Sequence, residues 1–251
     1  MNGQMSLFDL TLPMVKISNK VRMIELFAGY GSQAMAMRNL GVDFEHYRVV
    51  EFDGPAIKSY NSVHQTDFPT MDVCNIHAED LGIVDKDKYT YVCTYSFPCT
   101  DISLAGLQKG LAEGSGTRSS LLWEVKRILE ELNEIDALPQ ILLMENVTAI
   151  HCEENLPHYQ RWQAFLESLG YYSYGKDLNA SDFGVAQNRD RTFLVSILGE
   201  YNYNFPYTID LDYCIEDYFE DLSEEDALRL IVKSDKARNL LVELDKDGRL
   251  E

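Results

Sequence analysis

The stretch Val21-Arg-Met-Ile-Glu-Leu-Phe-Ala-Gly-Tyr-Gly-Ser32 decides the fold of this chain. Its apolar residues up to Phe27 are typical of a buried strand, and the glycines that follow break that strand. Ser32 is a suitable N-cap for a helix over 33–40, which Gly41 would end. This order opens a nucleotide-binding unit, because the turn lets backbone approach a ligand and the helix N-terminus carries a positive dipole. An ordinary tight turn between strand and helix fits the same pattern.

Acidic residues follow a second predicted strand over 47–53. Glu51 lies near its end, at the distance beyond the glycine turn where a carboxylate suits ribose hydroxyls. The alternatives are a solvated carboxylate or, for Asp53, an N-cap for a helix over 55–64. We favour the ligand role for Glu51. Asp72, in a short element over 67–76, could reach a ligand from a loop or serve as a turn carboxylate.

A run of β-forming residues from 89 to 95 leads into Phe97-Pro98-Cys99. Pro98 fixes the backbone and removes a hydrogen-bond donor, so the next residue can be presented at the open edge of a sheet. The alternative is a small buried cysteine beside a turn proline, since free cysteine is among the most buried residue types. The glycine-rich stretch 104–116 predicts a mobile loop.

Charged residues accompany two later predicted strands. The apolar run 139–147 contains Glu145 near its end, where a charged group is rarely left without a task. A structural ion pair is the alternative. Arg189 and Arg191, two residues apart at the start of another strand, can face one cleft because side chains alternate along a strand. A surface salt-bridge ladder is the alternative for this pair.

Strands and helices alternate along the chain, with apolar helical spacing over 120–133 and 157–170. This alternation predicts an α/β fold with a mostly parallel twisted sheet and helices on both faces. Ligands of such sheets bind beyond the carboxyl ends of the strands. Gly29, Glu51 and Cys99 fall at such ends, as does Glu145, so the sequence predicts one site at this edge.

Composition and charge limit the functional classes. The chain has 251 residues with a formal net charge of −19, which argues against a self-sufficient DNA-binding surface, since phosphate contacts need basic residues. Its five cysteines are scattered without a Cys-x-x-Cys pair, so neither a disulfide framework nor a metal site is suggested. Without a secretory signal pattern or an apolar run of membrane-spanning length, we expect a cytoplasmic location.

Together these residues resemble the DNA cytosine-5 methyltransferase family, of the type found in bacteria and phages. The matching stretches occur in the family's order: Glu25–Ser32, Val50–Asp53, Phe97–Cys99 with Ser103 beyond it, Met144–Val147 and Gln187–Arg191. The resemblance implies a Rossmann-like methyltransferase fold with S-adenosylmethionine as methyl donor, S-adenosylhomocysteine as product and no metal. The substrate it implies is DNA with a cytosine flipped out of the helix, because the ring carbons are inaccessible inside a duplex.

The resemblance also implies a role for each candidate residue. On the donor side, it implies that Phe27, Gly29 and Gly31 line the amino-acid end. Glu51 would hold the ribose, Phe52 would lie near the adenine, and Asp72 would lie near the adenine amino group. Pro98 would lie beside the donor. On the cytosine side, Cys99 would add to carbon 6 and Glu145 would contact the ring nitrogen and exocyclic amine. Arg189 and Arg191 would orient the base and its sugar-phosphate.

The sequence departs from the family pattern in three places. Thr100 stands where the family usually has Gln, and Ser96-Phe97 replaces a Gly-Pro lead-in. After the last motif comes an acidic tail, predicted to be helical over 223–244, where the family has a target-recognition region.

We therefore expect an extension over 1–20, a donor-binding catalytic domain over 21–205, and a tail over 206–251 that serves as a docking surface. A second protein chain would supply target recognition, because the recognition domain is absent from this chain. The alternatives are a catalytically silent regulatory subunit with the same fold, and methylation of RNA cytosine.

Overall fold

A computed structural model of the protein describes residues 12–100, 102, 111–231 and 233–247. Its centre is a six-stranded sheet. The strands are β1 (Lys20–Leu26), β2 (Phe44–Val50), β3 (Tyr89–Tyr95), β4 (Ile141–Asn146), β5 (Tyr171–Asn179) and β6 (Asp190–Leu198). They lie in the order β2-β1-β3-β4-β6-β5. Only β6 runs against the others, since it pairs antiparallel with both β4 and β5. The predicted mostly parallel α/β sheet is confirmed.

Seven α-helices are present in the described part of the chain. They are α1 (Ser32–Asn39), α2 (Gly54–His64), α3 (Ala78–Leu81), α4 (Leu122–Glu134), α5 (Leu156–Ser168), α6 (Glu224–Leu230) and α7 (Asp235–Lys246). None of the described helices is long and apolar enough to cross a membrane. The apolar positions predicted as core on α4 are buried, with Leu121 just before the helix partly buried.

Two hydrophobic clusters show that helices cover both faces of the sheet. Val49 of β2 packs with Ile57 and Tyr60 of α2 in the smaller cluster. Its neighbour Val50 belongs to the larger cluster, which contains buried residues of α3, α4 and α5. Successive residues of a strand point to opposite faces. The two clusters therefore lie on opposite sides of the sheet, as the alternating pattern predicts.

Several predicted boundaries need correction. The N-cap of α1 is Gly31 rather than Ser32, because Gly31 has the non-helical, left-handed backbone that precedes the first turn. Strand β2 ends at Val50, so Glu51 lies in the loop beyond it. The short element over 67–76 is a single 3-10 turn, Val73–Asn75, with Asp72 as its N-cap.

The two ends of the chain also differ from expectation. The predicted tail helix over 223–244 is two helices, α6 and α7, each with its own serine N-cap. The predicted extension is partly attached to the domain, since Asn202 N–H donates to the Pro13 carbonyl. Residues 1–11 of the extension, Ser103 and most of the predicted mobile loop over 104–116 lie outside the described residues.

Candidate active site

The glycine turn follows β1, and every second residue from 27 to 31 has a positive φ, in the left-handed region of backbone conformation. Phe27 has φ 58°, Gly29 has φ 57° and Gly31 has φ 83°. A non-glycine residue such as Phe27 adopts this conformation only at an energetic cost, and such strain is concentrated at ligand-binding positions. The turn delivers the chain into α1, whose N-terminal N–H groups are available to a ligand.

Glu51 connects the glycine turn to the loop after β2. Its Oε2 accepts a hydrogen bond of 2.9 Å from Gly29 N, and its Oε1 accepts one of 2.9 Å from Asp53 N. A carboxylate has about four lone-pair sites, so Glu51 keeps acceptor capacity for two hydroxyl groups. Asp53 caps α2 through a 3.0 Å bond from Ala56 N, which confirms the capping alternative for that residue.

A cavity of about 190 Å³ lies at the carboxyl ends of β1, β2 and β3. Five of the seven predicted donor residues line it: Phe27, Glu51, Phe52, Asp72 and Pro98. Gly29 and Gly31 do not line it directly, although Gly29 N bonds to Glu51 at its wall. The remaining walls are Val50, Met71, Val73, Ser96 and Leu121. A wider groove of about 570 Å³ continues outward past Phe52, Met71 and Asp72.

Asp72 has two roles in this geometry. Its Oδ1 accepts a 3.0 Å bond from Cys74 N, so it is a turn carboxylate, as one of the two predictions stated. The same side chain lies on the wall of the cavity, which keeps the other prediction open. The aromatic ring of Phe52 is 70% exposed, so it offers a flat apolar surface at the cavity mouth.

Two side chains hold the loop that carries Cys99. Asn146, at the end of β4, donates a 2.9 Å bond from Nδ2 to the carbonyl of buried Phe97. Ser119 donates a 2.7 Å bond from Oγ to the carbonyl of Pro98. Cys99 itself is partly buried against the main hydrophobic core. Its thiol therefore follows a backbone held at two points, one residue after Pro98 of the cavity wall, and is neither deeply buried nor fully exposed.

A further hydrogen bond joins the donor turn to the thiol loop. Gln33, in the first turn of α1, donates a 2.9 Å bond from Nε2 to Ser96 Oγ. Ser96 lines the cavity. The two loops that the sequence places at neighbouring strand ends are thus connected directly.

Glu145 and Arg191 form an ion pair, with 2.9 Å between Arg191 Nε and Glu145 Oε1. Each side chain is only about one fifth exposed. The predicted ion-pair alternative for Glu145 is therefore present, and it joins two of the four predicted catalytic residues. Asn146 follows Glu145 directly and bonds to the Cys99 loop, so β4 links the ion pair to the thiol.

Arg189 is placed differently from Arg191. Its side chain is exposed, and its backbone pairs with the 179–180 segment, where Ala180 N–H donates to the Arg189 carbonyl. The structure therefore brings Cys99, Glu145 and Arg191 to one edge of the sheet and leaves Arg189 on the surface beside them. Among the described residues, no group of three or more His, Cys, Asp or Glu is arranged to hold a metal ion.

The sequence prediction missed Gln33, Ser119 and the side-chain role of Asn146. An amide that follows an apolar strand is a signal for Asn146, because its polar atoms need partners when buried. Ser119 stands where the sequence predicts only a helix start. No local pattern reveals Gln33, since its partner Ser96 is distant in sequence and the bond exists only after β1 and β3 pair.

Comparison with solved structures identifies the fold. A methyltransferase of Entamoeba histolytica, EhMeth, matches with a TM-score of 0.65 at 17% identity, over 83% of this chain and 62% of that one. A Spodoptera frugiperda DNMT2 mutant matches with a TM-score of 0.62 at 19% identity, over 83% of this chain and 62% of that one. At these identities the likeness shows the fold alone, which is that of the methyltransferases.

Sequence comparison identifies the family. The orphan methyltransferase M.SssI of Spiroplasma monobiae is 33% identical, over 75% of this chain and 63% of its own length. The type II methyltransferase M2.ScrFI of Lactococcus lactis subsp. cremoris is 34% identical, over 80% of this chain and 68% of its own length. The chain thus spans about two thirds of these relatives. The family model of C-5 cytosine-specific DNA methylases matches residues 21–246. The matched range includes the residues that line the cavity and the loop that carries Cys99. The chain belongs to this family.

Proposed function

We propose that this chain transfers a methyl group from S-adenosylmethionine to carbon 5 of cytosine in DNA through a covalent Cys99 adduct. One observation carries the proposal. Pro98 lines the cavity at the strand ends, and the next residue is a thiol whose loop is anchored by Asn146 and Ser119. A nucleophile must be held in a defined position relative to the base it attacks, and a loop anchored at two carbonyl groups supports this role for Cys99.

The residues around the cavity fit the donor. When bound, S-adenosylmethionine supplies a methyl group on a positively charged sulfur. Glu51 would accept hydrogen bonds from the ribose hydroxyls, Phe52 would cover the adenine, and Asp72 would accept from the adenine amino group. Phe27 and the glycine turn with Gly29 and Gly31 would hold the amino-acid end, with Pro98 beside them. No metal takes part in this proposal.

The Cys99 thiolate activates the cytosine ring, because carbon 5 alone is too weak a nucleophile to take a methyl group. The thiolate forms a carbon–sulfur bond at carbon 6, and the electron pair of the 5,6 double bond moves to carbon 5, which then becomes nucleophilic enough to take the methyl group, with S-adenosylhomocysteine as the leaving group. Removal of the carbon 5 proton by a base restores the double bond, and the carbon–sulfur bond breaks to release the thiolate. The base is a water molecule or a group that the site residues do not identify.

Glu145 and Arg191 would act on the cytosine ring. The Glu145 carboxyl group would contact the ring nitrogen and the exocyclic amine, where charge changes as sulfur adds. Arg191 would fix the position of this carboxyl through the ion pair of 2.9 Å. Exposed Arg189 would contact the sugar-phosphate of the flipped nucleotide, because an exposed guanidinium suits a phosphate.

We further propose that a second protein chain supplies target recognition in the cytoplasm. Residues 21–205 would form the catalytic domain, and the acidic segment 206–251 would be the docking surface. A net charge of −19 supports this division, because an acidic chain gains little from phosphate contacts. The partner would then contribute the basic surface that holds the duplex.

The test is covalent trapping with duplex DNA that contains 5-fluorocytosine, in the presence of S-adenosylmethionine. Fluorine cannot leave as a proton does, so a working Cys99 remains attached to the base. We expect an adduct with the wild-type chain, stronger when the partner is added, and none with Cys99→Ser. Donor binding should survive in Cys99→Ser. A chain that binds the donor but forms no adduct under either condition would be a silent subunit, contrary to the proposal.

A further inference from the structure

A buried polar network lies behind the glycine turn, on the side away from the donor cavity. Glu25 of β1 is 1% exposed, and its Oε2 accepts a hydrogen bond from the hydroxyl of Tyr60 on α2. That hydroxyl is also 2.6 Å from Nδ1 of His46 on β2. In the described part of the chain, Glu25 Oε1 has no hydrogen-bond partner. A buried carboxyl group that is only half satisfied is costly, so its presence here needs an explanation.

The network touches the turn itself. His64 Nε2 is 3.1 Å from the Tyr30 carbonyl oxygen, within the turn. A Cβ atom added to Gly31 would lie 2.6 Å from Tyr60 Cε2 and closer still to His64 Nε2. The rings of Tyr60 and His64 lie 4.5 Å apart between centroids. These two rings form the surface on which the backbone at Gly31 rests.

The turn is therefore held from two sides. On the cavity side, Gly29 N donates to Glu51. On the other face of the sheet, Tyr60 packs in the small cluster with Ala28 and Val49. Because Val49 and Val50 point to opposite faces, the Tyr60 network and the cavity that Val50 lines are separated only by the turn and the strand ends.

We propose that Tyr60 is a positioning residue for donor binding, which holds Glu25 and His46 in one hydrogen-bonded unit beneath the glycine turn and so fixes the turn in its binding conformation. The inference rests on the donor site of the proposed function. If Tyr60 only packed the core, its hydroxyl would affect stability and leave donor affinity unchanged. The two roles therefore differ in a measurable way.

The experiment compares Tyr60→Phe with Tyr91→Phe, by calorimetric titration of S-adenosylmethionine and by thermal unfolding. Both tyrosines are fully buried, and both substitutions keep the ring and remove a bonded hydroxyl. Tyr91 pairs with Arg22, far along β1 from the turn. We expect Tyr60→Phe to raise the donor Kd by about tenfold, as the loss of one hydrogen bond would. Tyr91→Phe should lower Tm and leave the donor Kd unchanged.

A double-substitution cycle tests whether Tyr60 acts through Glu25. Glu25→Met removes the oxygens that can accept from Tyr60 and keeps the length of the side chain. If the two residues form one unit, the effects of Tyr60→Phe and Glu25→Met on donor Kd will not multiply in the double variant. Independent effects, or an unchanged Kd in Tyr60→Phe, would overturn the inference.

His64→Ala gives a second variant that spares the buried carboxyl group. His64 is only partly buried, so its loss should be tolerated by the fold, yet it removes the contact with Tyr30. We expect a donor Kd at least about threefold higher, by the same hydrogen-bond argument. An unchanged Kd would count against the inference. The 5-fluorocytosine adduct is read separately, so wild-type donor binding without an adduct would reject the proposed function and leave this inference standing.

Discussion

At the scale of single residues, the position of Cys99 depends on two carbonyl groups that are bonded by side chains from other elements. Ser119→Ala removes the hydroxyl that donates to the Pro98 carbonyl at 2.7 Å. We expect the free energy of unfolding to fall by about 1–3 kcal/mol, since a partly buried acceptor loses its partner. We also expect the rate of adduct formation on 5-fluorocytosine DNA to fall at least severalfold, because the thiol loop loosens.

Tyr171→Phe is the matched control for this prediction. The Tyr171 hydroxyl donates at 2.7 Å to the carbonyl group of another proline, Pro139. Pro139 lies before the amino end of β4, away from the carboxyl ends of the strands where the cavity lies. A similar loss of stability is expected in this variant, with adduct formation at the wild-type rate. Equal rates in Ser119→Ala and Tyr171→Phe would show that Ser119 is structural only.

Glu25 gives a prediction about pH. Burial raises the pKa of Glu25 from 4.5 to about 7, against smaller lowering effects of the Tyr60 hydroxyl and of the Ala34 N–H, which lies nearby without a hydrogen bond of the usual geometry. Because the folded state holds this proton more tightly, stability is fully present below pH 4.5 and is lost as pH rises to about 7. A shift of this size corresponds to roughly 3 kcal/mol.

The measurement is chemical unfolding of the wild type and Glu25→Gln between pH 4.5 and 8. The difference between the two proteins should change by roughly 3 kcal/mol over this range, in favour of Glu25→Gln at high pH. Burial also lowers the pKa of neighbouring His46, beside His64 and Arg38, which removes stability as pH falls. Both proteins contain His46, so the comparison isolates Glu25. A constant difference would mean that folding does not shift the pKa of Glu25.

Residue roles were only partly predictable from sequence. Glu51, Cys99 and Glu145 could be selected because each lies at or beyond the carboxyl end of an apolar strand, where a polar group is exposed to a ligand. The ion pair between Glu145 and Arg191 could be offered only as an alternative, because it forms across the pairing of β4 with β6. The side chains that hold the Cys99 loop were missed for the same reason, since Asn146 and Ser119 bond to the Phe97 and Pro98 carbonyl groups, which are distant from them in sequence.

At the scale of elements, the two glycines of the turn differ in the space available for a side chain. Both have positive φ, so either alanine substitution should cost about 1 kcal/mol of strain. A Cβ atom at Gly29 meets no atom within 4 Å, whereas one at Gly31 would overlap Tyr60 and His64. Overpacking adds about 1–3 kcal/mol, so Gly31→Ala should lower the free energy of unfolding clearly more than Gly29→Ala. Equal losses by denaturant titration would mean that α2 moves freely away from the turn.

Element boundaries were predicted where a residue type forces them. Gly170 lies just beyond the end of α5, where its left-handed φ of 88° suits glycine. The helical spacing of apolar residues on α4 predicts a buried face, and those residues are buried. The break between α6 and α7 was missed, because the apolar residues Leu230 and Ile231 continue the helical pattern. The second helix begins after Ser234, whose side chain accepts a hydrogen bond from Ala237 N. A serine N-cap inside a longer helical pattern was the available signal for this break.

At the scale of the whole molecule, the acidic segment returns to the edge of the sheet that carries Cys99. Strand β6 ends at the opposite edge, but Ile209 then forms an isolated bridge with Phe183, just before β6 begins. Every residue from 206 to 231 is exposed, and Tyr207 reaches 94% exposure. The chain therefore leaves the domain near this edge at Ile209, and the carboxylates that follow lie in solvent together with exposed apolar groups.

This placement predicts that the segment weakens DNA binding by the isolated chain. We expect the wild-type chain to bind duplex DNA no more tightly than about 10⁻⁶ M at physiological salt, in the non-specific range. A variant with four substitutions, Glu216→Gln, Asp217→Asn, Glu220→Gln and Asp221→Asn, should bind severalfold more tightly at low salt. The gain should disappear at high salt, where like-charge repulsion is screened. Fluorescence anisotropy over a salt series measures both effects.

The control removes the same number of charges from the opposite edge of the sheet. Asp85 and Asp87 precede β3, Glu134 and Asp136 lie at and beyond the end of α4, and all four are exposed. Their conversion to Asn or Gln changes the net charge equally but lies far from the Cys99 edge. If charge alone mattered, both variants would gain DNA affinity to the same extent. A gain confined to the 216–221 variant is expected, because repulsion between exposed charges falls off within about 10 Å at 0.1 M salt, so its position decides the effect.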